Sequence, residues 1–195
     1  MAFNSLHFLI FFPLVVLAHF SLPHRHRWVL LLAASYYFYM SWKAEYALLL
    51  LFSTTVPWAA ALAMDRAGSR GAKRILLVLC IAVSLGLLST FKYLNFISDS
   101  LRPLLAARAV PLDLPHLELL LPVGISFYTF HTLSYVIDVY RGQLRPERHF
   151  GIFAACVSFF PPLVAGPIER PRNLLPQFRI PRGLEEGRIV SGLWQ

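Results

Sequence analysis

The chain has 195 residues, of which 57% are hydrophobic and only 14% charged, and its formal net charge is +8. A soluble domain carries about 25% charged residues and less apolar content, so the composition argues against an ordinary water-soluble globule and makes lipid the expected solvent. The excess of cations lies between apolar runs, where it sets orientation and meets anionic headgroups; nucleic-acid binding is set aside.

A membrane-spanning helix needs roughly 20 mostly apolar residues. Residues 6–22 form the first such run. No Lys or Arg precedes it, Pro13 interrupts it and no small-residue cleavage site follows, so it reads as a retained helix rather than a cleaved signal. The basic cluster His24-Arg25-His26-Arg27 comes after it, in a predicted inner loop. Residues 28–42 form a second run, whose Tyr36, Tyr37, Phe38, Tyr39 and Trp42 predict an aromatic belt at the outer interface. Residues 47–64 and 75–97 follow, the latter interrupted by Lys92, which can snorkel to the outer face. A stretch over 98–118 reads as an outer loop, and residues 119–140 are the fifth run. Lys and Arg gather on the cytoplasmic side of spans, and with the N-terminus outside the first five runs alternate without conflict.

Residues 151–168 break that alternation. A full crossing would put the Arg-rich stretch after it, with Arg170, Arg172, Arg179, Arg182 and Arg188, on the outside. The run also contains Pro161-Pro162 and Gly166-Pro167. Proline removes a backbone donor and breaks helices, and broken backbone survives at membrane depth only inside protein or along a cavity. A re-entrant segment that dips in from the cytoplasm is therefore predicted, with an ordinary kinked span as the alternative; residues 169–190 become a cytoplasmic linker. The expected fold is an all-α integral membrane protein, one multi-span helical bundle over residues 1–195.

The chemistry-bearing groups concentrate in the fifth run. At 100° per residue, Gly124, Tyr128, His131, Tyr135, Asp138 and Gly142 share one face, while Ile125, Leu133, Val136 and Ile137 lie opposite. Ionisable groups within a membrane usually face the bundle interior or a wet cavity, so Tyr128, His131, Tyr135 and Asp138 are candidates to line a passage. Structural roles compete: His131 can hydrogen-bond a neighbouring helix, and Asp138 can pair with Arg141 at i,i+3. Arg141, Gly166, Pro167, Glu169 and Arg170 are the candidate cytoplasmic mouth, or else a structural turn with solvated charges. Cys80 and Cys156 lie within apolar runs and read as small hydrophobes. No Gly-rich phosphate loop, metal-ligand spacing or nucleophile elbow is visible.

At these segments the chain resembles the membrane-bound O-acyltransferases, in the branch that O-acetylates alginate. The residues that carry the resemblance are Leu121-Pro122-Val123-Gly124-Ile125-Ser126-Phe127-Tyr128-Thr129-Phe130, Tyr135-Val136-Ile137-Asp138-Val139-Tyr140-Arg141-Gly142 and Ser158-Phe159-Phe160-Pro161 with Leu163-Val164-Ala165-Gly166-Pro167-Ile168 and Arg170. Phe91-Lys92-Tyr93, Asn95-Phe96, Phe3-Asn4-Ser5, Phe8-Leu9 and Pro13-Leu14 add weaker support. His131 departs from the family, where glutamine is common.

The resemblance implies the N-terminal portion of a bacterial inner-membrane enzyme that moves an acyl group, acetyl in this branch, from a cytoplasmic thioester such as acetyl-CoA toward a hydroxyl of an exported polysaccharide. It implies no bound cofactor, a periplasmic partner protein and contact with membrane lipid. The family's catalytic histidine lies in a Trp-His-Gly motif. None of Trp28, Trp42, Trp58 and Trp194 is followed by His, so that histidine is expected beyond Gln195, and these residues alone are expected to be inactive. A transporter or channel would also suit a polar stripe and a broken helix, though no internal repeat is visible. A non-catalytic membrane scaffold is the third reading.

Overall fold

The computed structural model describes residues 5–106, 122–166 and 169–181. Among the described residues eight helices follow in order: α1 (Leu6–Ser21), α2 (His24–Met40), α3 (Tyr46–Arg66), α4 (Arg70–Ala106), α5 (Ile125–Tyr140), α6 (Phe150–Ser158), α7 (Phe160–Ala165) and α8 (Pro171–Arg179). No strand occurs among the described residues.

Among the described residues two helices are long and apolar enough to cross a membrane: α3, and the 24-residue stretch Arg70–Tyr93 of α4. α1 is apolar but shorter, at 16 residues. Ser5 caps it by accepting the Phe8 N–H at 3.2 Å, which satisfies one of the orphan donors of the first turn.

Local structure departs from the sequence reading in three places. His24, Arg25, His26 and Arg27, expected in a loop, form the first turn of α2, because Pro23 ends the extended link from α1 and its fixed φ leads directly into a helix. α4 runs to Ala106 over 37 residues, so residues 98–106 of the expected outer loop are helical. Phe91 to Leu101 contains neither Gly nor Pro, and nothing there stops helix propagation. The expected aromatic belt divides: Tyr37 and Trp42 are exposed, whereas Phe38 and Tyr39 are buried in the core.

The run over 151–168 is broken at Phe159, between α6 and α7. The residue before a proline avoids helical backbone, and proline is favoured only in a helix's first turn. Pro161-Pro162 therefore cannot continue α6 and instead open α7. Neither piece, at nine and six residues, reaches the roughly 20 residues that a bilayer crossing needs.

α5 is the central helix, packed against α3, α4, α6, α7 and α8. Its apolar side is consequently buried along with its polar stripe: Ile125, Leu133 and Val136 have almost no exposure. α2 and α6 approach so closely that any Cβ at Gly151 would collide with the Trp28 ring; only glycine fits there. α1 is held by a second cluster in which Phe8 and Phe11 pack on Phe38 and Phe160, with centroid separations of 5.5–6.4 Å. The outward faces of α1, α3 and α4 present Leu9, Leu14, Leu17, Leu48, Phe52, Ile75 and Val78.

Candidate functional site

The four stripe residues all point inward: Tyr128, His131, Tyr135 and Asp138 are each at most 5% exposed. They reach different partners.

His131 bridges two segments that are distant in sequence. Its Nδ1 lies 2.8 Å from the backbone carbonyl of Glu169. A carbonyl can only accept, so Nδ1 carries the hydrogen and donates it. In the neutral ring Nε2 then offers its lone pair to the thiol of Cys156, whose Sγ is 3.7 Å away. Phe127 stacks on the imidazole at 5.9 Å and 13°. Both ring nitrogens are thus engaged, and the residue joins α5, α6 and the segment entering α8. As arranged, it has no nitrogen available to take a proton from a substrate.

Tyr135 packs on Phe153, with centroids 4.5 Å apart, and its hydroxyl accepts the backbone N–H of Glu147 at 2.8 Å. Glu147 is the hub of the segment between α5 and α6. Its backbone carbonyl accepts Trp58 Nε1–H from α3 at 2.8 Å. Its Oε1 accepts the His149 N–H at the mouth of α6 at 2.8 Å, and the carboxylate binds Arg179 through both Nε, at 3.1 Å, and Nη2. A carboxylate so well hidden is tolerated only when paired and fully hydrogen-bonded, and here each oxygen has a donor. Sequence reading passed over Glu147 and counted Arg179 only as loop charge; no local spacing links residues 147 and 179.

Tyr128 completes a different group. Its hydroxyl faces those of Tyr39 on α2 and Ser53 on α3. None of the three makes a hydrogen bond of acceptable geometry, and Oδ2 of Asp138 is likewise buried without a partner. Buried polar atoms without partners are rare and mark sites for water or a polar ligand. Asp138 does not form the expected pair with Arg141, because Asp138 faces the interior while Arg141 is exposed to the outside.

Of the candidate mouth residues, Arg141 and Arg170 are exposed, Glu169 is half-buried and lends its carbonyl to His131, and Gly166 ends α7 with its N–H on the Pro162 carbonyl at 3.1 Å. Pro167 lies outside the described residues, and so does Gln195, the position beyond which the resemblance puts the catalytic histidine. Cys156, read as a simple apolar filler, is instead the thiol beside His131.

Over 182 residues, 91% of its length, the chain is 42% identical to a protein of Azotobacter vinelandii named probable alginate O-acetylase AlgI. It is 41% identical over the same length to the protein of that name from Pseudomonas aeruginosa. The relatives named for alginate O-acetylation are of the membrane-bound O-acyltransferase family, and the chain is similar to them over nearly all of its own length. A peptidoglycan O-acetyltransferase of Helicobacter pylori is 29% identical over 173 residues, 76% of this chain. The chain spans about a third of the length of these relatives, from 32% to 36%. No family model matches the chain, and no solved structure matches it significantly.

The two contacts of His131 show how glutamine, the residue that the resemblance leads one to expect at this position, would serve in its place. A glutamine amide can still donate to the Glu169 carbonyl, whereas alanine leaves that contact and the Cys156 contact unmade. His131→Gln is expected to stay within about 1 kcal/mol of the parent and His131→Ala to lose about 1–3 kcal/mol, read as thermal unfolding in detergent.

Proposed function

We propose that the chain forms the first part of a membrane O-acyltransferase that carries an acetyl group from a cytoplasmic thioester, acetyl-CoA, to a hydroxyl of an exported polysaccharide. The observation that carries this reading is the 42% identity over nearly the whole chain to a protein named for alginate O-acetylation. In the reaction the acceptor oxygen attacks the thioester carbonyl, a base takes the hydroxyl proton, and the C–S bond breaks to release the thiol. General-base catalysis by a histidine and preorganised donors for the oxyanion suit that step. The residues present here are assigned to the wall of the donor passage: the unpartnered hydroxyls of Tyr39, Ser53 and Tyr128 and the inward carboxylate of Asp138 offer polar lining without a nucleophile. His131, with both nitrogens engaged, positions the wall, and the catalytic histidine belongs to a Trp-His-Gly motif beyond Gln195. A periplasmic partner protein completes transfer to the polymer.

The same reading places the chain in the bacterial inner membrane with its N-terminus outside. The outward apolar rows on α1, α3 and α4 support a lipid-facing perimeter. The Glu147–Arg179 pair supports a re-entrant path for α6 and α7. It joins the two ends of the excursion, and a segment whose feet are clasped together returns to the side it left. Labelling of Arg172→Cys in intact cells tests this placement: the reagent that crosses membranes reacts and the impermeant outside reagent does not. Reaction with the impermeant reagent would mean a full crossing.

The activity is tested with membranes bearing the product of the complete gene, labelled acetyl-CoA and an alginate acceptor. Label is expected in the polymer fraction, and its absence with the partner protein present would count against the assignment. Substituting peptidoglycan strands for alginate distinguishes the two acceptor classes named for the relatives.

A further inference from the structure

We propose that the crevice between α1, α2 and α8 binds one anionic phospholipid of the cytoplasmic leaflet. The crevice has two adjoining compartments. One, of about 270 Å³, is walled by Phe12, Val16, Leu31, Phe160 and Phe178 among others. The second, of about 470 Å³, is lined by Arg25, His26, His149 and Arg179. His24, Trp28 and Phe178 line both, so the apolar and basic compartments share a wall. Among the described residues no carboxylate lines either, and Glu147, which lies beside Arg179, is already committed to it and to the His149 N–H. An apolar slot with Arg27 in its wall, opening beside Arg25 and the imidazoles of His24, His26 and His149, matches an acyl chain attached to a phosphate, and basic pockets between helices on the cytoplasmic side hold such headgroups.

Charge complementarity and location select a lipid over a soluble phosphate compound. α1, which lines the crevice through Phe12, Val15 and Val16, also exposes Leu9, Leu14 and Leu17, and the crevice shares no lining residue with the stripe of Tyr128, His131, Tyr135 and Asp138. The site rests on the membrane placement proposed above but not on the acyltransferase activity.

Trp28 gives a direct readout, because it lines both compartments. The chain is reconstituted in phosphatidylcholine–phosphatidylglycerol vesicles in which one lipid at a time carries bromine on its acyl chain. The quenching lost on Trp28→Phe isolates the signal of Trp28. Brominated phosphatidylglycerol is expected to quench it in preference to brominated phosphatidylcholine. Arg25→Gln should reduce that preference by about fivefold, the effect of one cation near a headgroup. Val16→Phe, which fills the apolar slot without changing charge, should reduce quenching by phosphatidylglycerol as well. Equal quenching by both lipids overturns the site while leaving the membrane placement intact; no quenching by either removes the placement too. Displacement of the brominated lipid by added acetyl-CoA would assign the crevice to the donor instead and also overturn the proposal.

Discussion

Arg179→Ala is expected to destabilise the chain by about 2–3 kcal/mol, and Glu147→Ala by only about 1–2 kcal/mol, although the two substitutions break the same ion pair. The asymmetry follows from exposure. The Glu147 side chain is 7% exposed and that of Arg179 is 56% exposed. Removing the arginine strands a hidden carboxylate, which costs far more than removing the carboxylate and freeing an arginine that water already reaches. Breaking a fully buried pair costs about 3–5 kcal/mol, and the exposure of Arg179 places this one below that range. Unfolding in detergent, followed by helix ellipticity, gives the order. Limited proteolysis adds a local readout: both variants should become cleavable near residues 141–149 and α8 before the rest of the bundle. Equal destabilisation by the two substitutions would show that Glu147 does not depend on Arg179.

Gly124→Ala should cost about 2–5 kcal/mol, from left-handed backbone strain of about 1–2 and overpacking of about 1–3 kcal/mol. Gly124 opens α5 with φ +75°, and a Cβ there would sit 2.8 Å from the Leu163 carbonyl oxygen and 3.3 Å from its Cγ. The nearest obstacle is backbone, so no rotamer change relieves it, and α7 must move away from the start of α5. Gly142→Ala is the matched control: it has the same positive φ of 72° with open space around it. It should show the strain component alone, about 1–2 kcal/mol. If both substitutions cost the same, the contact between Gly124 and Leu163 contributes nothing.

The stripe on α5 was legible because helical periodicity alone brings Tyr128, His131, Tyr135 and Asp138 to one face. The contacts that surround the stripe were not, because they join residues far apart in the chain. Trp58 reaches Glu147 across 89 residues, Arg179 across 32, and Cys156 reaches His131 across 25. No periodicity encodes such distances. The Asp138–Arg141 expectation failed for a related reason: i,i+3 spacing permits a pair, but packing of α5 on five neighbours turned one residue inward and left the other outside. The break at Phe159 was legible from Pro161-Pro162. The helical start at His24 was not, since a basic cluster reads as a loop until the proline before it is recognised as a helix entrance. α4's extension beyond Lys92 shows that one charged residue in an apolar run does not end a helix when neither glycine nor proline follows closely.

The central proposal is that the apolar runs of α1, α2, α3, α4 and α5 lie in hydrocarbon, with the polar stripe turned inward and the greasy rows turned to lipid. Alkaline carbonate extraction of membranes containing the chain tests it most directly. The chain should remain entirely with the lipid pellet and be released only by detergent. Recovery in the aqueous supernatant as a compact, folded monomer would contradict the account, because the exposed leucines of α1, α3 and α4 would then have water as their solvent.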